Sequence, residues 1–219
     1  MTLAVRDVAP WIDEALDSVL AQIGPDDEVI VVDDGSTDAT PALLSARSEA
    51  VTVLSPGAIG LSNARNLALD HSTGRLMAFL DGDDRWAPGA LDRLVAVLDE
   101  HPEADLALGR TDEFLDSSVT DPAAIGLRTP QRDALGWFLG ALVARRDITD
   151  AVRFDPDQPL ALTGDWLARL RARDVHIHEL AAVTLERRLR PGSLTTDATA
   201  YREAMLRSLR TNLRRARTG

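Results

Sequence analysis

Residues 76–91 read LMAFLDGDDRWAPGAL, an apolar run followed directly by the carboxylates of Asp81, Asp83 and Asp84. An apolar run of this length, bounded by polar residues, predicts a buried strand over residues 75–80. Such a strand would hold the acidic residues at its carboxyl end, which is the edge where α/β sheets bind their ligands. This stretch therefore predicts both a fold class and the place of a site.

A second stretch has the same order. Residues 29–40 read VIVVDDGSTDAT, in which a β-branched run precedes Asp33, Asp34 and a glycine, and the polar segment after them predicts a helix N-cap near Thr37 or Asp38. A carboxylate at this place can accept a hydrogen bond from a nucleobase N–H or a ribose hydroxyl. The alternative is that the aspartates only buttress the turn through their own backbone.

Strands and helices alternate along the first half of the sequence. Apolar and β-branched runs predict strands over residues 28–32, 51–54 and 75–80, and amphipathic spacing predicts helices over residues 13–22, 61–70 and 88–100. This alternation is typical of βαβ units and predicts a mostly parallel sheet.

The pattern weakens after Leu108. Residues 111–130 are polar and predict an irregular stretch, whereas the apolar residues 137–144 predict a strand or a short buried helix. The remaining predicted elements are a helix over residues 165–173, strands over residues 175–180 and 182–185, a loop over residues 190–193 and an Arg-rich amphipathic helix over residues 201–217.

The composition excludes several classes of function. The 219 residues carry a formal net charge of −11, which argues against binding along the phosphate backbone of a nucleic acid. The absence of cysteine excludes disulfides, zinc–thiolate sites and thiol nucleophiles. All 24 basic residues are arginine, which excludes a P-loop lysine and a Schiff-base lysine. Because the sequence has neither a leader pattern nor an apolar run of membrane-spanning length, we expect a cytoplasmic protein.

The crowded carboxylates of residues 81–84 point to a cation. Like charges held at a rigid strand end repel one another unless a cation compensates them. Oxygen ligands suit Mg²⁺ or Mn²⁺, which take one or two carboxylates and leave room for substrate phosphates. An isolated acidic turn would be interpreted as a solvated surface turn, and it is the position at the end of a buried strand that favours the metal.

From about Pro10 to Thr195 the sequence resembles the family 2 glycosyltransferases. Three segments in the family's order carry the resemblance: VIVVDDGSTDAT, GLSNARNLALDHSTGRLMAFLDGDDRWAPGAL and FDPDQPLALTGDWLARLRARDVHI. The resemblance implies an α/β GT-A fold, a single Rossmann-like domain with a mostly parallel central sheet and a truncated or shortened first strand. Within residues 1–219 it implies a nucleotide-sugar-binding half over residues 1–109, an acceptor-binding half over residues 110–200 and a C-terminal Arg-rich helix over residues 201–219.

The implied activity is an inverting, hexosyltransferase-type reaction. A sugar would move from a UDP-, GDP- or dTDP-linked donor to an acceptor hydroxyl in one displacement assisted by Mn²⁺ or Mg²⁺. By its position, Asp165 in LTGDWLARL matches the family's catalytic base, which removes the proton of the attacking hydroxyl. Taken alone, Asp165 would be interpreted as a helix N-cap.

The resemblance also implies roles in binding the donor. Asp34 would contact the nucleobase, Asp81 would approach the ribose, and Asp83 would ligate the metal that bridges the diphosphate, with Asp84 supporting that metal site. Arg65, in NARN, would order Asp34 or reach phosphate, with a structural ion pair as the alternative. Arg190 stands where relatives commonly carry a histidine, and it would bind diphosphate directly as a fixed cation or be a surface residue.

The sequence departs from the family pattern at its start. MTLAVRDVAPWIDEAL lacks the family's Pro and Tyr-Asn pair. Either the first strand is truncated, or residues 1–5 form it and two residues of the following loop are missing, with Arg6 and Asp7 as substitutes. This departure motivates the alternative function, a non-catalytic nucleotide-sugar-binding or partner protein of the GT-A fold.

Two further features carry open alternatives. His176 and His178 share a face of a predicted strand, and a structural or surface role is favoured over metal ligation because no third ligand is evident. The predicted helix over residues 201–217 has six arginines and one glutamate. It would pack on the acidic body of the protein or make a peripheral contact with an anionic membrane, at the inner face of the membrane for a cytoplasmic protein.

Overall fold

The computed structural model describes residues 1–123, 127–158 and 162–193, together with residues 203, 206 and 211. The elements in chain order are β1 Thr2–Val5, α1 Ile12–Leu20, β2 Ile30–Asp33, α2 Thr40–Ala46, β3 Thr52–Leu54, α3 Leu61–His71, β4 Leu76–Leu80, β5 Arg85–Trp86, α4 Ala90–Glu100, β6 Leu106–Leu115, a 3₁₀ turn Leu139–Ala141, β7 Leu142–Arg145, α5 Arg146–Ala151, α6 Leu162–Arg171 and β8 Ile177–Leu189. Among the described residues, the strands form one sheet in the order β3-β2-β1-β4-β7-β6-β8-β5.

The first half of the sheet is parallel, as predicted. β1 pairs in parallel with β2 along its whole length and with β4 at Thr2 and Leu3, and β2 pairs in parallel with β3. Of the two interpretations of the first strand, the structure matches the one in which the first five residues form it. Because the strands are parallel, Val5, Asp33 and Leu80 end at the same edge, and the two acidic clusters follow there.

The second half of the sheet is mixed, and it corrects two predictions. β7 runs antiparallel to β4 and β6, whereas β6 and β8 are parallel. Residues 111–115 are not irregular but continue β6, and the two strands predicted over residues 175–185 are one strand that runs on to Leu189. The apolar segment 137–144 contains both predicted forms, a 3₁₀ turn followed by the start of β7.

In the first half of the sheet, β1, β2 and β4 are buried on both faces. Leu3 and Val31 face a large core shared with α1 and α4, whereas Ala4 and Val32 face a smaller core shared with α3. Alternate side chains of one strand point to opposite faces, so a strand buried on both faces has a continuous apolar sequence. This explains why the apolar runs were visible in the sequence.

An aromatic cluster ties the second half to the first. The Phe154 ring stands edge-on to Phe79 of β4 at 5.8 Å and stacks with Trp166 of α6 at 5.4 Å between centroids. The Trp166 indole donates to the carbonyl of Val152 at 2.6 Å. Aromatic pairs contribute about 0.5–1.5 kcal/mol beyond their burial, so α6 is fixed against the strand that carries the acidic turn.

The predicted Arg-rich helix over residues 201–217 lies outside the described residues, apart from residues 203, 206 and 211. In the part of the chain that the structure covers, no helix combines the length and the apolar character needed to cross a membrane.

Candidate active site

A cavity of about 610 Å³ opens at the carboxyl edge of the parallel strands. Its volume lies within the range of about 300–1,000 Å³ that small-molecule sites occupy. The wall comes from the loop after β1, the turn after β4, the end of β8 and the segment before the 3₁₀ turn. The charged lining residues are Arg6, Asp7, Asp34, Arg65, Asp81, Asp83, Asp84, Arg187, Arg188 and Arg190.

The acidic turn after β4 directs its carboxylates to different partners. Asp81 is half exposed and accepts a hydrogen bond from Arg65 Nη2 at 2.6 Å. Asp83 accepts from Arg190 Nε at 2.7 Å. Asp84 is buried and accepts from the backbone N–H of Arg188 at 2.7 Å. Two of the three carboxylates are thus paired with arginine side chains. In this structure these arginines compensate the crowded negative charge of the turn.

Burial raises the pKa of the Asp84 carboxyl well above its ordinary value, and the neighbouring charges of Asp83 and Asp81 raise it further. Asp84 therefore holds its charge less readily than an ordinary aspartate. Its oxygen supports the backbone of β8, so the residue links the turn to the strand that carries the arginines.

Gly82 permits the turn to lie close to β1. A Cβ at this position would lie 2.8 Å from Val5 Cγ1 and 3.1 Å from Val8 Cγ2. Both valines are buried, so they have little room to retreat. The glycine between Asp81 and Asp83 is thus required by packing, and it fixes where the two carboxylates stand.

The first acidic cluster serves the backbone of its own loops. Asp33 accepts from the N–H of Ser36 at 2.9 Å, and Asp34 accepts from the N–H groups of Ile59 and Gly60 at 2.7 and 2.8 Å. Both aspartates are buried, but only Asp34 is among the residues that line the cavity. The buttressing interpretation therefore describes Asp33, while Asp34 combines buttressing with a place in the cavity wall.

Arg65 forms an ion pair and also lines the cavity, so the structure combines the two interpretations made from the sequence. It projects from α3, is buried, and pairs with Asp81 while its guanidinium lies 5.5 Å from the centre of the Phe154 ring. An arginine held on both sides in this way fixes the rotamer of its carboxylate partner.

The loop after β1 is tied to the start of α2. Asp7 has a positive φ of 51°, and its carboxylate accepts from the N–H of Thr37 at 2.7 Å. The backbone N–H groups of Asp7 and Val8 donate to the hydroxyls of Ser36 and Thr40, each at 2.9 Å. A short loop therefore reaches a defined conformation without the family's Pro and Tyr-Asn pair, and it places Arg6 and Asp7 in the cavity wall.

Two arginines at the end of β8 contact the acidic turn, and only one of them, Arg190, was predicted from the sequence. Arg188 donates through Nε to the carbonyl of Asp83 at 2.9 Å and through Nη1 to Asp116 at 3.1 Å. Arg190 pairs with Asp83 and lies over the Trp11 ring at 4.2 Å from its centre. Sequence reasoning missed Trp11, Asp116 and Arg188. The alternation of a strand, which puts residues 188 and 190 on one face, is the signal that could have found Arg188.

Asp165 lies in the first turn of α6 and is 1% exposed. The helix begins at Leu162, so the N-cap interpretation of Asp165 is wrong. Its carboxylate accepts from Arg169 Nε at 2.8 Å, one turn along the helix. Thr163 of the same turn lines the cavity, whereas Asp165 is not among the lining residues.

Trp137 and Phe138 were predicted only as part of an apolar segment, yet both line the cavity. Each ring has an arginine on its face: Arg171 lies 3.9 Å from the centre of Trp137, and Arg187 lies 4.6 Å from the centre of Phe138. The second half of the chain thus contributes two aromatic residues, Trp137 and Phe138, to the cavity wall.

Comparison with known proteins identifies the chain. The profile of the family described as "Glycosyl transferase family 2" matches residues 3–150, more than half of the chain. The chain belongs to this family. It is 38% identical over 93 residues to the uncharacterized glycosyltransferase alr2836 of Nostoc sp., a match that covers 41% of this chain and 29% of that protein. The chain spans about a third or less of the length of the first curated relatives it matches.

Two solved structures share the fold of this family 2 member. S. aureus TarS in complex with UDP-GlcNAc superposes with a TM-score of 0.71 at 20% identity, covering 94% of this chain and 64% of that one. The mannosyltransferase PcManGT of Pyrobaculum calidifontis, in complex with GDP-Man and Mn²⁺, superposes with a TM-score of 0.71 at 22% identity, covering 100% of this chain and 63% of that one. The predicted GT-A fold class is confirmed.

The residues of the acidic turn suit a hard divalent cation. Asp81 and Asp83 offer carboxylate oxygens at the cavity wall, which Mg²⁺ and Mn²⁺ prefer. Within the described ranges, no three His, Asp or Glu side chains form a group that could hold a metal by themselves. His176 and His178 are not among the lining residues. The centre of the His178 ring lies 4.0 Å from that of His101, and His176 Nδ1 lies 3.6 Å from Asp105.

Proposed function

We propose that this family 2 member is an inverting, metal-dependent glycosyltransferase domain that moves a sugar from a nucleoside-diphosphate sugar to an acceptor hydroxyl. The observation that carries the proposal is the cavity itself. In its wall the acidic turn after β4 is bonded to the arginines at the end of β8, and Trp137 and Phe138 line the same cavity. The proposed division places donor binding in residues 1–109 and acceptor binding in residues 110–200.

On the donor side, Asp34 would contact the base, and Asp81, oriented by Arg65, would accept from the ribose hydroxyls. Asp83, with Asp84 behind it, would hold Mn²⁺ or Mg²⁺, which when bound neutralises charge on the departing diphosphate. TarS was solved with UDP-GlcNAc and PcManGT with GDP-Man and Mn²⁺, and these complexes support a donor of this class. UDP-, GDP- and dTDP-linked sugars are the donors to try.

On the acceptor side, Asp165 would take the proton from the attacking hydroxyl. The charge-assisted hydrogen bond from Arg169 holds the carboxylate in one rotamer, and the aromatic cluster holds α6 against β4. A positioned general base contributes about 10²–10⁴-fold to the rate. Because one displacement suffices, the proposal needs no covalent nucleophile and predicts inversion at the anomeric carbon.

Calorimetric titration tests the donor site. UDP, GDP and dTDP are titrated into the protein with and without Mn²⁺, and the titration is repeated on Asp83→Ala and on Asp26→Ala, an exposed aspartate outside the cavity wall. We expect one nucleotide to bind only with Mn²⁺, to lose affinity in Asp83→Ala and to keep it in Asp26→Ala. Equal binding by all three proteins would refute the role of the acidic turn.

Turnover tests the base. With the donor named by the titration, release of the nucleoside diphosphate is measured with water as acceptor, and the anomer of the freed sugar is followed by NMR. We expect Asp165→Asn to lose at least 10²-fold in rate while it keeps nucleotide affinity, and the exposed Asp157→Asn to match the wild type. Retention of configuration, or full activity of Asp165→Asn, would refute the mechanism.

One observation favours a second function, a non-catalytic nucleotide-sugar-binding or partner protein. Asp165 is 1% exposed, paired with Arg169 and absent from the cavity wall. A module of this kind would bind a nucleotide with Mn²⁺ and release no diphosphate with any acceptor. The same two assays therefore separate it from the enzyme.

Membrane contact through residues 201–219 remains part of the proposal. Its support is the sequence alone, with six arginines in residues 201–217. Co-sedimentation with anionic vesicles, compared with neutral vesicles and with a chain ending at residue 200, gives the test. Equal sedimentation of both chains would end the idea.

A further inference from the structure

Arg190 is held on the acidic turn by more than one contact. Its Nε donates to Asp83 Oδ2 at 2.7 Å, and the two side chains are each 16% exposed. The guanidinium carbon lies over the Trp11 ring, 4.2 Å from its centre, so the cation is in contact with the face of the indole. Exposed ion pairs contribute little, but a largely desolvated pair with a stacked guanidinium is a stronger interaction.

The indole under Arg190 is itself fixed. Trp11 Nε1 donates to Asp116 Oδ2 at 2.7 Å, and the same oxygen accepts from Arg188 at 3.1 Å. Asp116 also accepts from the N–H of Ser118 at 2.9 Å. These contacts form a closed network, because Arg188 in turn donates to the carbonyl of Asp83. Its members, in order of contact, are Asp83, Arg190, Trp11, Asp116 and Arg188.

We infer that Arg190 is the resident counter-cation of the acidic turn and that Trp11 positions it. In the nucleotide-free protein the guanidinium compensates the charge of Asp83 and occupies its Oδ2, one of the two oxygens open to a divalent cation. When a metal–nucleotide complex arrives, Asp83 exchanges Arg190 for the metal, and the guanidinium faces the diphosphate from its seat on Trp11. The inference rests on the proposed function, since it assigns a second role to the same site.

The physical reason is competition followed by cooperation. A carboxylate has two oxygens and can accept from a guanidinium while it ligates a metal, but two cations held at one carboxylate repel each other, so each weakens binding of the other. A bound diphosphate removes this conflict because its negative charge lies between the two cations. Arg190 should therefore weaken binding of the metal alone and strengthen binding of the nucleotide with the metal, which is a positive coupling between the two ligands.

The test measures binding of Mn²⁺ alone, by the electron paramagnetic resonance signal of free Mn²⁺, and then binding of UDP, GDP or dTDP at saturating Mn²⁺. For Arg190→Ala we expect Mn²⁺ alone to bind more tightly and the nucleotide to bind more weakly, each by a factor in the range of about 5–150 that is typical of coupled sites. The two affinities should change in opposite directions. If Arg190 were merely structural, its loss would weaken the binding of both ligands.

The matched control removes an arginine of the same charge elsewhere. Arg75 is exposed, pairs with Asp99 and lies outside the cavity wall. Arg75→Ala should leave both affinities within about twofold of the wild type, since exposed charges are screened by salt. A gain in Mn²⁺ affinity of equal size in Arg75→Ala would show a general charge effect and would overturn the inference.

Trp11 variants test the positioning role. Trp11→Ala should shift both affinities in the directions expected for Arg190→Ala, and Trp11→Phe, which keeps a ring under the guanidinium, should restore most of the wild-type values. Arg190→Gln is the second variant if Arg190→Ala does not fold by circular dichroism. Unchanged Mn²⁺ affinity in both Arg190 variants overturns the inference. Absence of nucleotide binding in every protein would instead refute the proposed function, and the Mn²⁺ titration would still decide whether Arg190 covers Asp83.

Discussion

Gly82→Ala adds one methyl group where the acidic turn meets β1. The new Cβ would stand 2.8 Å from Val5 Cγ1 and 3.1 Å from Val8 Cγ2. Non-bonded carbons prefer about 3.5–4.0 Å, so the methyl group is roughly 0.5–1 Å too close to both valines. Overpacking of this kind costs about 1–3 kcal/mol. If the turn moves to relieve it, the carboxylates of Asp81 and Asp83 move too, and a misplacement of about 1 Å can cost about 10²-fold in rate.

Urea unfolding gives the stability, and titration with nucleotide and Mn²⁺ gives the state of the site. We expect Gly82→Ala to lose about 1–3 kcal/mol in the free energy of unfolding, to bind the nucleotide more weakly, or both. Gly24→Ala is the matched control, because its Cβ would meet only Asp27 Oδ2, at 3.7 Å. It should cost little in either assay.

A double variant locates the clash. Val5→Ala removes the nearest methyl group, so the loss in Val5→Ala/Gly82→Ala should be smaller than the sum of the two single losses. Additive losses would mean that the added methyl group does not press on Val5. A Gly82→Ala protein as stable as the wild type, with the same nucleotide affinity, would refute the reasoning outright.

Three more predictions follow from buried polar and aromatic groups. Asp116 is buried, which raises its pKa, but the hydrogen bonds it accepts outweigh burial and lower the pKa from 3.8 to about 2. At about 1.4 kcal/mol per pKa unit, this stabilises the fold by roughly 2 kcal/mol above pH 4 and is lost as pH falls towards 2. Urea unfolding of Asp116→Asn should therefore show a deficit of that size at pH 7 and about half of it at pH 3, and a deficit independent of pH would contradict this. Asp34→Ala strands the N–H groups of Ile59 and Gly60 and should cost about 1–3 kcal/mol per group left without an acceptor, measured by urea unfolding against the isosteric Asp34→Asn, which keeps an acceptor. Phe154→Ala leaves a cavity in the aromatic cluster and should lower the free energy of unfolding by about 3–5 kcal/mol, measured by thermal unfolding. A decrease of less than about 1 kcal/mol would show that Phe154 is not central to the cluster.

The strands predicted with the clearest pattern are the buried ones. β2 and β4 have apolar or β-branched runs because side chains on both faces are covered. The predicted bounds of these two strands, and of the partly exposed edge strand β3, agree with the structure to within two residues. The acidic clusters were placed correctly at the strand ends because parallel topology alone brings those ends together. Local pattern and global fold agree in this half of the chain.

The outer half of β6 could not be predicted because it is stabilised by charge. Glu113 is 1% exposed and pairs with Arg187 of β8 at 3.0 Å. A buried ion pair across two strands has no apolar alternation, so residues 111–115 had the sequence of a loop. The same pairing extends β8 beyond the predicted end at residue 185 to Leu189.

The pairs of residues that contact each other within the site could not be predicted from local sequence patterns either. Asp83 and Arg190 are 107 positions apart, and Trp11 and Asp116 are 105 apart. No spacing rule links residues at such separations, and only the packing of the segment before α1 on the ends of β6 and β8 brings them together. Asp165 was assigned as the catalytic base from its position in the sequence alone. The structure adds its partner, Arg169, and its role stays a prediction.

The exclusive use of arginine gives the acidic turn a particular chemistry. A lysine ammonium could pair with Asp83, but it has no flat face to rest on Trp11 and is a strongly hydrated point charge. The guanidinium of Arg190 can lie on the indole and donate through its edge at the same time. Release of Asp83 follows when a second cation arrives with an anion that accepts the guanidinium, which is the pair of charges that a metal–diphosphate brings.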